Sequence, residues 1–207
     1  NDLSTLRDIS LLPTMYKIFS RCLCNRLKVF ISNEISFWQR AYLEKRDRQE
    51  LIFNLITEID DFKHLSTKMY ITFIDFADAF GSVSHEFIFE SLERFNIPET
   101  YCTIIKDLYN HSCFQIIDRE KLSRIFYIIR GTKTGDPLSA IIFIIVIDCI
   151  FKPMVSIAMI NQNLFNEKLL NPLPVQGFAD DIAIVTHNVD TLHEMIRVSE
   201  PIMQRAN

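Results

Sequence analysis

Glycine is scarce in this chain: four in 207 residues, beside seven prolines and a single tryptophan. So few permissive or breaking positions exclude collagen-like sequence, internal glycine repeats and long flexible linkers. The cysteines (Cys22, Cys24, Cys102, Cys113, Cys149) are odd in number, and no two stand at C-x-x-C spacing. That excludes a disulfide framework and a zinc module, and fits a reducing, intracellular compartment. His111 and Cys113 are close in sequence but have no partner pair. A basic excess is missing too. The net charge is −4 and the isoelectric point about 5.7, against the basic face of a protein that grips nucleic acid by charge alone. No signal peptide is visible. The most apolar run, Ala140–Ile147, falls well short of the roughly 18–20 residues that span a bilayer. It ends at Asp148 and reads as a buried helix, so no membrane partner is expected. The chain opens on Asn1 without a methionine and stops inside a helical pattern, and so reads as a piece of a longer one.

What is present is ordinary globular sequence. Hydrophobic residues make up 48% and charged residues 23%, enough for one domain with a sizeable core. Thr14 opens a helical stretch in which Ile18, Cys22, Leu23, Leu27, Phe30 and Ile31 recur at helical spacing, with Lys17, Arg21, Arg26 and Lys28 between them. Residues 37–47 are irregular. Leu51, Ile52, Leu55, Ile56, Ile59 and Phe62 then form an apolar stripe that reads as core. Met69–Phe76 fits a central strand buried on both faces. Ser84 is an N-cap candidate, and Pro98 opens another helix. Cys113–Ile117 and Ile125–Ile129 read as two strands around the polar turn Asp118–Lys121. Asp136 and Pro137 form an N-cap and N1 pair launching an apolar helix from Leu138, and Asp190 caps a last helix. The order predicts an α+β fold, an antiparallel sheet backed by helices.

Three acids stand out. Asp75 ends the buried strand, where a lone carboxylate costs several kcal/mol unless paired or coordinated. Asp180 and Asp181 occupy the tip of a hairpin predicted from two apolar arms, Val175–Phe178 and Ile182–Val185. Adjacent carboxylates repel by about 1 kcal/mol in water and about 4 at an effective dielectric near 20. A hard divalent cation relieves this; an Asp-rich turn without a metal is the plain alternative. If strand and hairpin are neighbours in one sheet, all three acids meet at its edge. Such a site suits two divalent ions about 3.5–4 Å apart, which activate an attacking hydroxyl and stabilise a leaving phosphate oxygen.

Phe73–His85 (FIDFADAFGSVSH), Gly131–Ser139 (GTKTGDPLS) and Phe178–Asp181 (FADD) together resemble the reverse transcriptases of non-long-terminal-repeat (LINE-type) retrotransposons. The first looks like that family's initial catalytic block, an Asp followed five residues later by an aromatic. The others look like its Gly-Asp-Pro-Leu-Ser core and its aromatic-x-Asp-Asp box. Upstream, Arg7–Leu27 is similar to the opening fingers segment, and Gln39–Tyr42 faintly follows a Gln-x-Gly-Phe pattern. The resemblance implies a polymerase palm with a ferredoxin-like core (69–207), partial helical fingers (1–68), a fingers-like strand pair at about 113–130, and no thumb. It implies RNA-directed DNA polymerase activity with two Mg²⁺ (Mn²⁺ as substitute), an RNA template, a DNA primer and deoxynucleoside triphosphates. It implies nuclear localisation if the parent element is an active eukaryotic one, and says nothing of oligomeric state. Asp75, Asp180 and Asp181 are the implied catalytic and metal-holding acids, with Phe76 and Ala77 adding backbone beside them. Phe80 is the implied gate against a ribonucleotide 2′-hydroxyl. Arg7 and Lys17 are implied triphosphate contacts, and Thr134, Gly135, Asp136 and Pro137 shape the nucleotide side of the site.

Several positions depart from the family pattern. Asp78 replaces a basic residue, Gly81 an acid, Thr134 a Gln, Asp8 a Pro and Ala41 a Gly. These departures and the acidic charge suit a fragment with little activity alone. They also favour a rival reading, a catalytically degenerate remnant that binds nucleic acid or protein. A third class, another two-metal palm that polymerises ribonucleotides or cyclises nucleotides, is distinguished by the bulk at Phe80.

Overall fold

The structure is a computed structural model and describes residues 10–163 and 173–206; Arg7 and Asp8 lie outside them. The elements in chain order are α1 (Thr14–Ile31), α2 (Arg48–His64), β1 (Tyr70–Ile74), α3 (Ala79–Ser82), α4 (His85–Arg94), α5 (Glu99–Asn110), β2 (Cys113–Phe114), β3 (Ile117–Asp118), β4 (Lys121–Leu122), β5 (Phe126–Tyr127), α6 (Pro137–Asn163), β6 (Val175–Phe178), β7 (Asp181–Thr186) and α7 (Val189–Ala206). The expected α+β architecture is present. Its main sheet is antiparallel in the order β1-β7-β6, with α6 and α7 packed together behind it.

Helix α6 is the axis of the core. Leu138, Ile141–Ile147, Ile150, Phe151 and Met154 are all buried, so it is apolar all round, as a helix enclosed by other elements must be. α1, α4 and α7 surround it. It does not stop at Asp148, as the sequence led one to expect. The Asp148 carboxylate, 0% exposed, accepts the Ser36 N–H at 3.1 Å and pairs with Lys152 at 3.2 Å, which lets the helix carry the acid inside. Burial still pushes its pKa up. Pro137–Asn161 is by length and composition apolar enough to cross a membrane, but 67% of its most apolar window is buried within the protein.

Strand β1 is an edge strand, not a central one. Its residues alternate between half-buried and exposed, and Phe73 is 72% exposed. The central strand is β7, with Ile182–Val185 buried. An all-apolar run fits either place, because apolarity does not report which strand gains a neighbour on each side. The α2 stripe is likewise only half core: Leu51 and Phe62 are buried, whereas Ile52 and Ile56 are exposed, Ile52 across a cleft from the sheet.

Smaller differences concern ends. Pro98 occupies the N-cap of α5 rather than its first turn. The cap of α7 is Asn188, whose side chain accepts the Asp190 N–H at 2.8 Å. The 113–130 segment reverses at Arg119, with φ 55°, and forms two ladders, Cys113–Phe114 with Phe126–Tyr127 and Ile117–Asp118 with Lys121–Leu122; between them the Gln115 amide and Ser123 hydroxyl bond to backbone across the strands.

Candidate active site

The register of the main sheet builds the site. Phe178 pairs with Asp181, and the last pair of the β1–β7 ladder is Ile74 with Ile182, so Asp75 and Asp181 are the chain neighbours of that last pair. Asp75, Asp181 and Phe178 accordingly line one cleft of about 290 Å³, closed on its other wall by Arg48, Leu51, Ile52 and Leu55 of α2. Arg48 lies over the Phe178 ring, 5.7 Å from its centroid. Strand and hairpin are thus neighbours, as the metal hypothesis required.

Asp180 is placed differently. It is the second residue of the two-residue turn Ala179-Asp180, outside the wall of that cleft. Its charge acts on the Tyr42 phenol, whose pKa burial, and then Asp180, pushes up. Among the described residues no three His, Cys, Asp or Glu side chains form a ready metal cage. Where all three carboxylates were expected together, two share the cleft wall, Asp75 and Asp181, and Asp180 stands beside it in the turn.

The donor set nevertheless fits magnesium. It is made only of carboxylate oxygens, and among the described residues no ion pair engages Asp75, Asp180 or Asp181. Mg²⁺ is commonly held by one or two carboxylates plus substrate phosphates, not by an all-protein cage.

The hairpin that carries these acids is held on four sides. β1 flanks β7. The free edge of β6 is taken by residues 38–40: Gly177 N–H donates to Trp38 O and Arg40 N–H to Gly177 O, both at 2.9 Å. A Cβ on Gly177 would come within 2.9 Å of the Trp38 ring, so only glycine fits there. At the base, Glu58 of α2 accepts the Leu173 N–H (2.6 Å) and the Gln176 amide (3.1 Å); burial raises its pKa to about 7. At the tip, Gln39 is 0% exposed. Its Oε1 accepts the N–H of Ala179 and of Ala41, each at 3.0 Å, and its Nε2 donates to Ala179 O at 3.2 Å. Arg46 in turn donates to the Gln39 and Ser36 carbonyls, both at 2.7 Å.

Sequence reasoning missed Arg48, Glu58 and Arg46. Nothing in their local pattern separates them from solvated charges on a helix or loop. Gln39 left a trace in the faint Gln-x-Gly-Phe likeness.

The other expected site residues are spread around this centre. Phe76 meets Phe151 edge-on at 6.2 Å, and with Ala77 it lines a second, largely apolar cavity of about 400 Å³ against Phe143, Val146 and Met203. Phe80 is half-buried and stacks on Phe143, centroids 4.2 Å apart. Its carbonyl accepts the Thr132 N–H at 2.7 Å, which ties the first motif to the second. Gly131, at φ 79°, lies so close to Gly81 that a Cβ would strike the Gly81 backbone. Asp78 (φ 53°) packs its carboxyl group where a Cβ on Gly81 would stand, so the two departures Asp78 and Gly81 are one steric unit. Lys17 is exposed on α1. Thr134 shares a hydroxyl hydrogen bond with Ser10 at 2.9 Å, and Gly135 adopts φ 80°.

Asp136 is buried. It accepts from the Tyr16 hydroxyl (2.9 Å), from Ser20 Oγ and, as the cap of α6, from Leu138 N–H at 3.0 Å. Its carboxylate is thereby committed to joining α1 to α6, which corrects its place among groups that touch a nucleotide. With Pro137 it starts the helix, as expected. Lys133 lies beside it, donating to the Tyr16 hydroxyl at 3.0 Å and to Leu108 O at 3.2 Å, and burial lowers its pKa.

With this geometry in hand, comparison with known proteins is specific. The family model described as reverse transcriptase (RNA-dependent DNA polymerase) matches residues 1–207. The Pol polyprotein of a type-1 retrotransposable element R2 from Popillia japonica is 28% identical over 188 residues, 89% of this chain and 25% of the relative. The corresponding protein of Nasonia vitripennis is 26% identical over 151 residues, 73% of this chain and 14% of the relative. The chain thus spans about a quarter or less of these relatives. Among solved structures, telomerase from Candida tropicalis, in complex with a fragment of telomeric RNA, superposes with a TM-score of 0.59 at 14% identity, covering 92% of this chain and 31% of that one. Telomerase from Candida albicans gives 0.59 at 11% identity, covering 93% and 32%. These likenesses speak for a polymerase-like α+β fold.

Proposed function

The chain belongs to the reverse transcriptase family, and we propose that it is the palm, with part of the fingers, of a LINE-type retrotransposon enzyme that adds deoxynucleotides to a DNA 3′-hydroxyl on an RNA template. The observation that carries this reading is the cleft wall that Asp75 and Asp181 share beside the Asp180 turn. Asp75, Asp180 and Asp181 would hold two Mg²⁺, or Mn²⁺ in their place. Bound there, the ions would activate the attacking hydroxyl and stabilise the departing phosphate oxygen.

The chain's own residues do the rest by position. Arg48, on the wall facing the acids, offers a planar fork suited to two phosphate oxygens. Lys17 and Arg7 serve as further triphosphate contacts. Phe80, braced on Phe143, holds its bulk where the sugar 2′ position would lie. Residues 10–68 form the helical fingers side and 69–206 the palm. The setting is intracellular.

Mg²⁺-dependent deoxynucleotide binding tests the reading. The chain should bind a labelled deoxynucleoside triphosphate with Mg²⁺ present, and Asp180→Asn should lose that binding at least tenfold. Equal binding by both would favour the degenerate remnant. That rival draws on Thr134, whose hydroxyl is already occupied by Ser10 where the family pattern has a Gln.

A further inference from the structure

We infer that Gln39 is a positioning residue for the metal-holding acids: its side-chain amide locks the Ala179 turn and thereby sets where Asp180 and Asp181 stand. The inference rests on the metal reading above and adds a residue to it.

Three observations carry it. First, Ala179 is held at φ 57°, a left-handed conformation that a residue with a Cβ adopts only when its surroundings compensate. Second, the compensation comes from one side chain. Gln39 satisfies both backbone groups of Ala179, at 3.0 and 3.2 Å, inside a region that is 0% exposed at Gln39 and 4% at Ala179. A side-chain amide donates from its nitrogen and accepts at its oxygen at the same time. Third, Gln39 is itself fixed. Its Oε1 also takes the Ala41 N–H, its carbonyl receives Arg46, and its neighbours Trp38 and Arg40 are bonded to Gly177. The connection therefore runs from Arg46 through Gln39 to Ala179 and on to Asp180, joining the loop after α1 to the acids. A packing role alone would require neither the donor nor the second acceptor contact.

The test uses the whole chain, with Mn²⁺ as the probe, read by water-proton relaxation, and amide exchange read at Ala179. Gln39→Leu removes all three side-chain hydrogen bonds. It should weaken Mn²⁺ binding at least tenfold and lower the Ala179 protection factor at least tenfold. Ile105→Val, a core trimming in α5 away from the hairpin, sets the change that lost stability alone produces. Gln39→Glu keeps the shape and the acceptors but donates to Ala179 O only when protonated. Its Ala179 protection, taken relative to wild type at the same pH, should be nearer wild type at pH 5 than at pH 8. This variant decides the matter if the leucine form does not fold.

Mn²⁺ binding lost in Asp180→Asn but unchanged in both Gln39 variants, within twofold of Ile105→Val, would overturn the inference and leave the metal reading standing. Mn²⁺ binding indifferent to Asp180→Asn would overturn both.

Discussion

The β6–β7 hairpin and the 113–130 ribbon are both short antiparallel pairs rich in β-branched and aromatic residues, yet they have opposite fates. In the hairpin, Val175, Gln176, Gly177 and Ile182–Thr186 are buried, and Gln39, Trp38, Glu58 and β1 hold it from separate directions. In the ribbon, Phe114, Ile116, Ile117, Leu122, Ile125, Tyr127 and Ile129 are exposed. Its internal support is a Phe114–Phe126 stack at 5.3 Å and Arg124 over Phe126 at 5.0 Å. Local sequence of the same kind thus makes a rigid platform or a projecting arm according to what packs beside it. Strand propensity measures fit to a half-buried surface, not an intrinsic backbone preference.

That contrast can be broken or sharpened by substitution. Trp38→Ala empties the space behind the hairpin, where the indole is 1% exposed and meets Phe151 edge-on at 5.5 Å. It should cost about 3–5 kcal/mol, measured by denaturant unfolding. Gly177→Ala forces a methyl against that same ring and should cost roughly 1–3 kcal/mol. A neutral result would show that residues 38–40 yield readily and that the hairpin is not clamped along this edge.

Glu58→Gln tests the base of the hairpin through pH. The folded pKa of about 7 lies above the ordinary carboxylate value of 4.5, so the native state keeps a proton that the unfolded chain releases. Stability from this group is whole below about pH 4.5 and is lost as pH rises through 7. The glutamine variant has no such loss. Its stability relative to wild type should therefore grow between pH 5 and pH 8, by about 2 kcal/mol, because each tenfold difference in proton affinity is worth about 1.4 kcal/mol. A flat difference would show that Glu58 stays ionised when folded. Smallest of all, Tyr127→Ser and Ile129→Ser in the ribbon should change stability by about 0.5 kcal/mol or less. A larger loss in thermal melts would mean that the arm is packed, and the contrast would fail.

Much of the fold was legible because it is local. Helix α1 follows from apolar spacing, α6 from an apolar run, the Ser84 and Asp136 caps from residue type, and the hairpin from two apolar arms around a polar break, although Asp181, read into its tip, belongs to β7. The misreadings share a cause. Met69–Phe76 looked central, the α2 stripe looked wholly buried and Asp148 looked like a stop, because apolarity along a chain does not say which neighbour arrives. The acids were legible as residues, but not that Asp75 and Asp181 would line the cleft while Asp180 sits in the turn beside it.

Residue order by itself settled the family, most of the helices and the presence of the three acids, since those depend on composition and short-range spacing; that Asp75 is exposed rather than buried was decided by the fold. Only the folded chain decided that β7 is central, that Asp136 is a buried joint between α1 and α6, and that Gln39 reaches 140 residues along the chain to hold Ala179. Such long-range pairings come from register and packing between segments, and no local pattern encodes which distant backbone group a buried amide will meet.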